Sequence, residues 1–221
     1  MDITLYTTEH GSGDPLILLH GNGENQGYFV HQIGYFSQFY RVIAVDTRGH
    51  GQSPRGTAPF TISQFADDLF DLMEQMALEK AHILGFSDGG NIALTFALRH
   101  PDRVDKLILN GANLFPSGLK PLVSLGVHAE YLWAKCTRND HYAALMQLMR
   151  KEPSITPEEL RELNIPALVI AGNRDMIKDS HTRLMAASLT KSELAILPGD
   201  HFIAKKTPDA FNRIVHRFLE K

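Results

Sequence analysis

The chain has 221 residues, of which 43% are hydrophobic and 21% charged, with a net charge of −3. That length suits one domain with a sizeable core, and the charge balance, with no basic run, excludes nucleic acid and anionic membrane as partners. The first ten residues have neither the basic nor the apolar region of a signal peptide, no apolar run reaches the length of a membrane span, and a single Cys136 cannot form an internal disulfide. A cytoplasmic location is expected, with Cys136 a small buried or half-buried apolar residue. Nothing in the sequence speaks to oligomeric state.

In chain order, residues 3–6 read as an edge strand. Short apolar runs follow at 16–19, 42–45, 82–84, 107–109, 167–171 and 194–197, apolar on both faces as strands of a sheet covered by helices must be. Amphipathic stretches lie between them. Thr61 and Gln64 form a capping-box pattern ahead of Phe65, Leu69, Leu72, Met73 and Met76 on one helical face. A helix after Ser87 ends at His100-Pro101. The last helix is expected to open with Thr207 as cap and Pro208 at its first position, then to place Phe211, Ile214, Val215, Phe218 and Leu219 on one stripe. Residues 114–163 hold no convincing strand and read as a helical insertion within a single α/β domain of mostly parallel, doubly wound sheet.

The chemistry concentrates in the loops. Gly85-Phe86-Ser87-Asp88-Gly89-Gly90 lies between a strand and a helix, where a sharp turn needs small neighbours and aims a helix N-terminus at the serine. These residues, with Leu18-Leu19-His20-Gly21-Asn22-Gly23, resemble the α/β-hydrolase family over nearly the whole chain. The resemblance implies the α/β-hydrolase fold with a short lid at 114–163, and Ser87 as nucleophile. It implies the backbone N–H groups of Asn22 and Asp88 as the oxyanion hole, and Asp46-Thr47-Arg48-Gly49-His50-Gly51-Gln52-Ser53 as a supporting loop. In that family the acid precedes the histidine in the chain. Leu197-Pro198-Gly199-Asp200-His201-Phe202 resembles its histidine loop, which makes His201 the base. Asp175 follows the 167–171 strand and is the expected acid, with Asp179 as the near alternative and Asp200 assigned to its own loop. Of the other histidines, His20 is assigned a structural role, His100, His181 and His216 an exposed helix face, and His128 and His141 at most a touch on substrate.

A serine hydroxyl becomes a nucleophile when an imidazole takes its proton, a carboxylate fixes the imidazole tautomer, and backbone donors hold the oxyanion. The expected function is therefore hydrolysis of small carboxylic esters, with no metal and no cofactor. The same set of residues also serves C–C hydrolases, cofactor-free perhydrolases and hydroxynitrile lyases, and the fold is kept by some non-catalytic binding proteins. Apolar residues of the insertion, Trp133 among them, are expected to line a partly apolar substrate pocket. Asp88 departs from the apolar or neutral residue usual after the nucleophile, and Ser-Asp-Gly-Gly resembles the elbow of biphenyl-hydrolase-like members that cleave amino-acid esters. Two readings stand open for its carboxylate: to bind a substrate ammonium, or to turn away and pair locally.

Overall fold

A computed structural model of the chain describes residues 2–221. Seven strands form one sheet: β1 (Thr7–His10), β2 (Pro15–Leu19), β3 (Arg41–Val45), β4 (Ala81–Phe86), β5 (Val104–Asn110), β6 (Ala167–Gly172) and β7 (Ser192–Leu197). Their order is β1-β3-β2-β4-β5-β6-β7, with β1 antiparallel to β3 and every other pair parallel. Helices cover both faces: α1 (Val30–Phe36), α2 (Ile62–Gln75), α3 (Asp88–Arg99), α4 (Pro121–Cys136), α5 (Asp140–Lys151), α6 (Pro157–Glu162), α7 (Asp179–Ser188), α8 (Ile203–Lys206) and α9 (Pro208–Leu219).

The period of two along each strand divides the core. Ile17, Leu19, Ile43, Val45, Ile83 and Leu107 face a layer that includes α2, α3 and α7. Leu16, Leu18, Val42, Ala44, Leu84 and Ile108 face the layer that includes α1, α8 and α9. Strands apolar on both faces are what such a sandwich demands.

Local expectations meet several corrections. The edge strand falls at Thr7–His10 rather than 3–6: Ile3 and Leu5 are buried, but Tyr6 gives its N–H to the Ser53 hydroxyl and its carbonyl to the Asp46 N–H, so pairing begins at Thr7 opposite Val45. The far edge, β7, is only partly buried and leaves Leu194 exposed, so it is not apolar-covered on both faces. Thr207 does not cap α9 with its side chain. Its hydroxyl donates to the Ile203 carbonyl and closes α8 instead. At α2 the Thr61 hydroxyl does accept the Gln64 N–H, while the Gln64 amide turns to Asp68, so half of the capping box forms.

Between β5 and β6 lie α4, α5 and α6. Val127 of α4 packs on Leu145 and Met146 of α5, and the Ile155 N–H donates to the Leu114 carbonyl where this segment leaves the sheet. Cys136 is exposed rather than buried, because the face of α4 that carries it points away from α5. No helix among the described residues is long and apolar enough to cross a membrane.

The strand order fixes where a site can form. β3 lies on one side of β2 and β4 on the other, so the chain reverses direction across the sheet between β2 and β4. Loops leaving the carboxyl ends of two such strands diverge and leave a crevice.

Candidate active site

The turn after β4 carries Ser87. A β-carbon at Gly85 would lie 2.5 Å from the Gly90 nitrogen, and one at Gly89 would collide with the Leu19 carbonyl, so only glycine lets α3 approach β2 and β4 this closely. The turn holds Ser87 at φ 53° and ψ −121°, a conformation that costs a non-glycine residue about 1–3 kcal/mol. Neighbouring backbone fixes it: the Ser87 N–H donates to the Asn110 carbonyl at 2.8 Å, and the Ser87 carbonyl accepts the N–H groups of Gly90 and Asn91.

His201 stands in the loop after β7. Its Nε2 lies 3.0 Å from Ser87 Oγ and its Nδ1 2.7 Å from Asp175 Oδ1. Asp175, after β6, is held by the Ile177 N–H on the same oxygen at 2.9 Å. Both side chains are removed from water, with Asp175 3% and His201 5% exposed. The Phe86 ring lies 4.8 Å from the imidazole and covers it. With Nδ1–H committed to the carboxylate, Nε2 is left as an acceptor for the serine proton. Ser87, His201 and Asp175 thus form one hydrogen-bonded chain across three loops. Asp179 begins α7 and pairs with Arg183 on the surface, and Asp200 pairs with Lys206 and the Phe202 N–H.

The loop after β2 faces this chain and is pinned by two histidines. His20 Nδ1 donates to the Gly21 carbonyl, and its Nε2 accepts the Thr47 N–H at 3.0 Å. Burial drives its pKa down to about 4, so it is neutral. His50 accepts the Gly23 N–H at Nε2, 3.1 Å away, and bonds the Arg48 carbonyl through Nδ1. Arg48 is itself anchored by both carboxylate oxygens of buried Asp68. The supporting loop therefore acts on residues 20–23 through His20 and His50. The Asn22 side chain donates to the Leu145 carbonyl at 2.8 Å and ties the same loop to α5. Asp88 is the first residue of α3, where a backbone N–H has no acceptor within its own helix.

Two carboxyls near this chain have an oxygen that is buried without a partner. Asp88 Oδ1 accepts from the Asn91 amide at 3.0 Å, but Oδ2 has none. Burial pushes Asp88 up to about 6, and the Glu152 charge adds to the rise. Asn91 is locked in turn by the Asn113 N–H and side chain. Glu24 Oε2 is likewise buried and unpartnered, and burial raises this acid to about 7 against the pull of the Gly21 N–H and of His201. Sequence reading passed over Glu24. Its signal was present, a carboxylate four residues after His20 in a glycine turn.

Trp133 belongs to the insertion between β5 and β6. It is 59% exposed on α4 with its ring edge-on to Tyr142 at 6.2 Å. His181 is buried, not exposed: its Nε2 accepts the Leu114 N–H at 2.8 Å and its ring meets Phe115 edge-on. His100 stacks on Phe70, and His216 packs against Phe39. His128 bonds Arg150 on the surface, and His141 lies 6.5 Å from the His50 ring. Among the described residues no group of three or more His, Cys, Asp or Glu is placed to hold a metal ion.

Comparison with known proteins bears on the whole chain. Residues 14–139 match the model of the alpha/beta hydrolase fold family. The protein named "Putative carbamate hydrolase RutD" from Caulobacter sp. (strain K31) is 31% identical, over 97% of this chain and 95% of its own. The human protein named "Serine hydrolase BPHL" is 26% identical, over 99% of this chain and 84% of its own. Among solved structures, the esterase EaEST from Exiguobacterium antarcticum superposes with a TM-score of 0.87 at 22% identity, over 99% of this chain and 96% of that one. The chain belongs to the α/β-hydrolase family.

Proposed function

We propose that this α/β-hydrolase is a serine hydrolase that cleaves small carboxylic esters through an acyl-enzyme on Ser87. One observation carries the reading: Ser87, on a strained turn, hydrogen-bonds His201 Nε2 while Asp175 holds Nδ1. In acylation Ser87 Oγ attacks the carbonyl carbon and passes its proton to His201 Nε2. His201 returns that proton to the departing alkoxide, and the carbon–oxygen bond to the alcohol breaks. Water then attacks the acyl carbon, again giving its proton to His201, which delivers it to Ser87 Oγ as the acyl bond breaks. Asp175 keeps the imidazole in the useful tautomer and stabilises the imidazolium. The backbone N–H groups of Asn22 and Asp88 are the oxyanion donors, each worth about 10²–10³ in rate.

The helices α4 to α6 are the lid in this reading, tied to the oxyanion loop by the Asn22–Leu145 bond. The partner is a small molecule, handled in the cytoplasm, and the chemistry asks for no metal or cofactor. Asp88 is the specificity residue for an α-amino group. A carbamate presents the same carbonyl to Ser87, and the name of the Caulobacter relative puts one among the substrates to be tried. The test is covalent labelling by a fluorophosphonate, with rates on p-nitrophenyl esters of rising length, an enol lactone, a carbamate and an amide. Labelling at Ser87 and turnover of short esters are expected. An unlabelled protein, or a Ser87→Ala variant that keeps more than about a tenth of the wild-type rate, overturns the assignment.

A further inference from the structure

Helix α4 packs on α5 through Val127, buries Ala134 on the same side and turns its opposite face to solvent. That face is apolar over four turns. Leu122 is 83% exposed, Leu125 67%, and Leu132 and Trp133 59% each, with Ala129 and Cys136 exposed beside them. At 100° per residue these six positions fall within about 60° of Ala129 on either side, so they form one straight stripe. A monomer seldom leaves so many large apolar side chains together in water.

We propose that this stripe is a homodimer interface, in which α4 of one copy lies antiparallel against α4 of a second copy across a twofold axis at Ala129. The stripe is complementary to itself in that arrangement. With Ala129 facing Ala129, Trp133 falls over Gly126 of the other copy, Leu125 over Leu132, and Leu122 over Cys136. Gly126 supplies the notch for the indole: a β-carbon there would meet nothing within 4 Å. Alanine at the crossing point lets the two backbones come close. The area fits as well. Even if their whole exposed area is covered, the four large side chains supply at most about 1,100 Å² for the pair, close to the roughly 1,000 Å² that a specific interface needs. An isologous contact of this kind closes on itself, so the assembly stops at two.

Sedimentation of the 221-residue chain from about 1 to 100 μM tests it. A species of twice the 24.7 kDa chain mass is expected at the upper end. Gly126→Leu fills the notch and replaces a helix-interior glycine, so it should raise the melting temperature of the monomer yet weaken dimerisation at least tenfold. Leu125→Glu should do the same to dimerisation, with an unchanged circular dichroism spectrum as the check on folding. Register is read separately by mild oxidation. Leu122→Cys should cross-link to Cys136 of the second copy and run as a covalent dimer, a band that Leu122→Cys combined with Cys136→Ser loses. Wild type should give no such band, because its two Cys136 residues sit about 21 Å apart along the helices. A chain that stays monomeric at 100 μM overturns the proposal, and so does a dimer indifferent to Gly126→Leu and Leu125→Glu. Binding of the monomer to phosphatidylcholine vesicles through this face would equally replace it.

Discussion

Gly111 leaves the space that the imidazole of His201 fills: a β-carbon at position 111 would lie 2.7 Å from His201 Cε1 and 2.9 Å from Nδ1. Gly111 also has φ 63°, a conformation that costs alanine about 1–2 kcal/mol. Gly111→Ala should therefore displace the ring from Ser87 as well as strain the backbone. A drop in kcat of about 100-fold is expected, since an error near 1 Å in a reacting group costs about that much. The melting temperature should fall too. Unchanged kcat would mean that His201 moves without consequence, and the proposed base would be wrong.

The choice between two nearby carboxylates has its own readout. Asp175 Oδ1 lies 2.7 Å from His201 Nδ1, whereas Asp179 pairs with exposed Arg183. Asp175→Asn puts an amide where an acceptor was and favours the wrong imidazole tautomer. It should lower kcat by about 10³–10⁴-fold, while Asp179→Asn stays within about twofold of wild type. A larger loss at Asp179 would reassign the acid.

What could be read from the sequence follows from which forces act locally. That Ser87, Asp175 and His201 reach one place is a matter of topology, because all three follow parallel strands and therefore leave the same end of the sheet. Continuous apolar runs located six of the seven strands, because a strand sandwiched between helices carries apolar residues on both faces. The missed features depend on partners distant in sequence. Residues 3–6 have strand-like composition, yet Ser53 and Asp46 take the Tyr6 backbone groups and move the strand on. Thr207 looks like a cap, yet the Ile203 carbonyl takes its hydroxyl. His181 sits in a polar-looking helical turn and is buried because Leu114 needs an acceptor 67 residues away. Cys136 belongs to an apolar stripe, and its exposure depends on which face of α4 meets α5.

Glu24 predicts a dependence of stability on pH. Its folded pKa of about 7 lies above the ordinary value of 4.5, so between those limits the folded chain holds a proton that the unfolded chain has shed. The contribution is complete below about pH 4.5 and is lost as pH rises through 7. Glu24→Gln cannot ionise, and relative to wild type it should gain nothing at pH 4.5 and about 1–2 kcal/mol at pH 8, after allowance for partial exposure. His20 runs the other way: its pKa of about 4 lies below the ordinary 6.5, so its contribution is present above 6.5 and lost as pH falls toward 4. Only the difference between Glu24→Gln and wild type isolates Glu24. Melting curves of both proteins at the two pH values settle it, and equal differences at both would dismiss the effect.

Asp88 makes the sharpest claim about substrate. One of its oxygens is satisfied by the Asn91 amide, and the other is buried with no partner. The local-pairing reading thus accounts for half of the carboxylate. Above about pH 6 the group is ionised in a buried setting beside a forming oxyanion, an arrangement that opposes attack by Ser87 unless a cation answers it. A substrate ammonium would supply that cation, and the charged pair would be stronger for being shielded from water. The preference for an α-amino ester over its isosteric des-amino analogue should therefore grow as pH rises through about 6, while the amine still carries its proton. It should decline again as the amine titrates, near 8 for an ordinary α-amino group. Asp88→Asn keeps the shape and the bond to Asn91 but removes the charge. In that variant kcat/KM for the two esters should converge at every pH, with the des-amino ester unchanged or faster because the oxyanion no longer faces a carboxylate. Equal rates for both esters in the wild-type enzyme at pH 7 would rule out amine recognition and leave Asp88 as a structural partner of Asn91 alone.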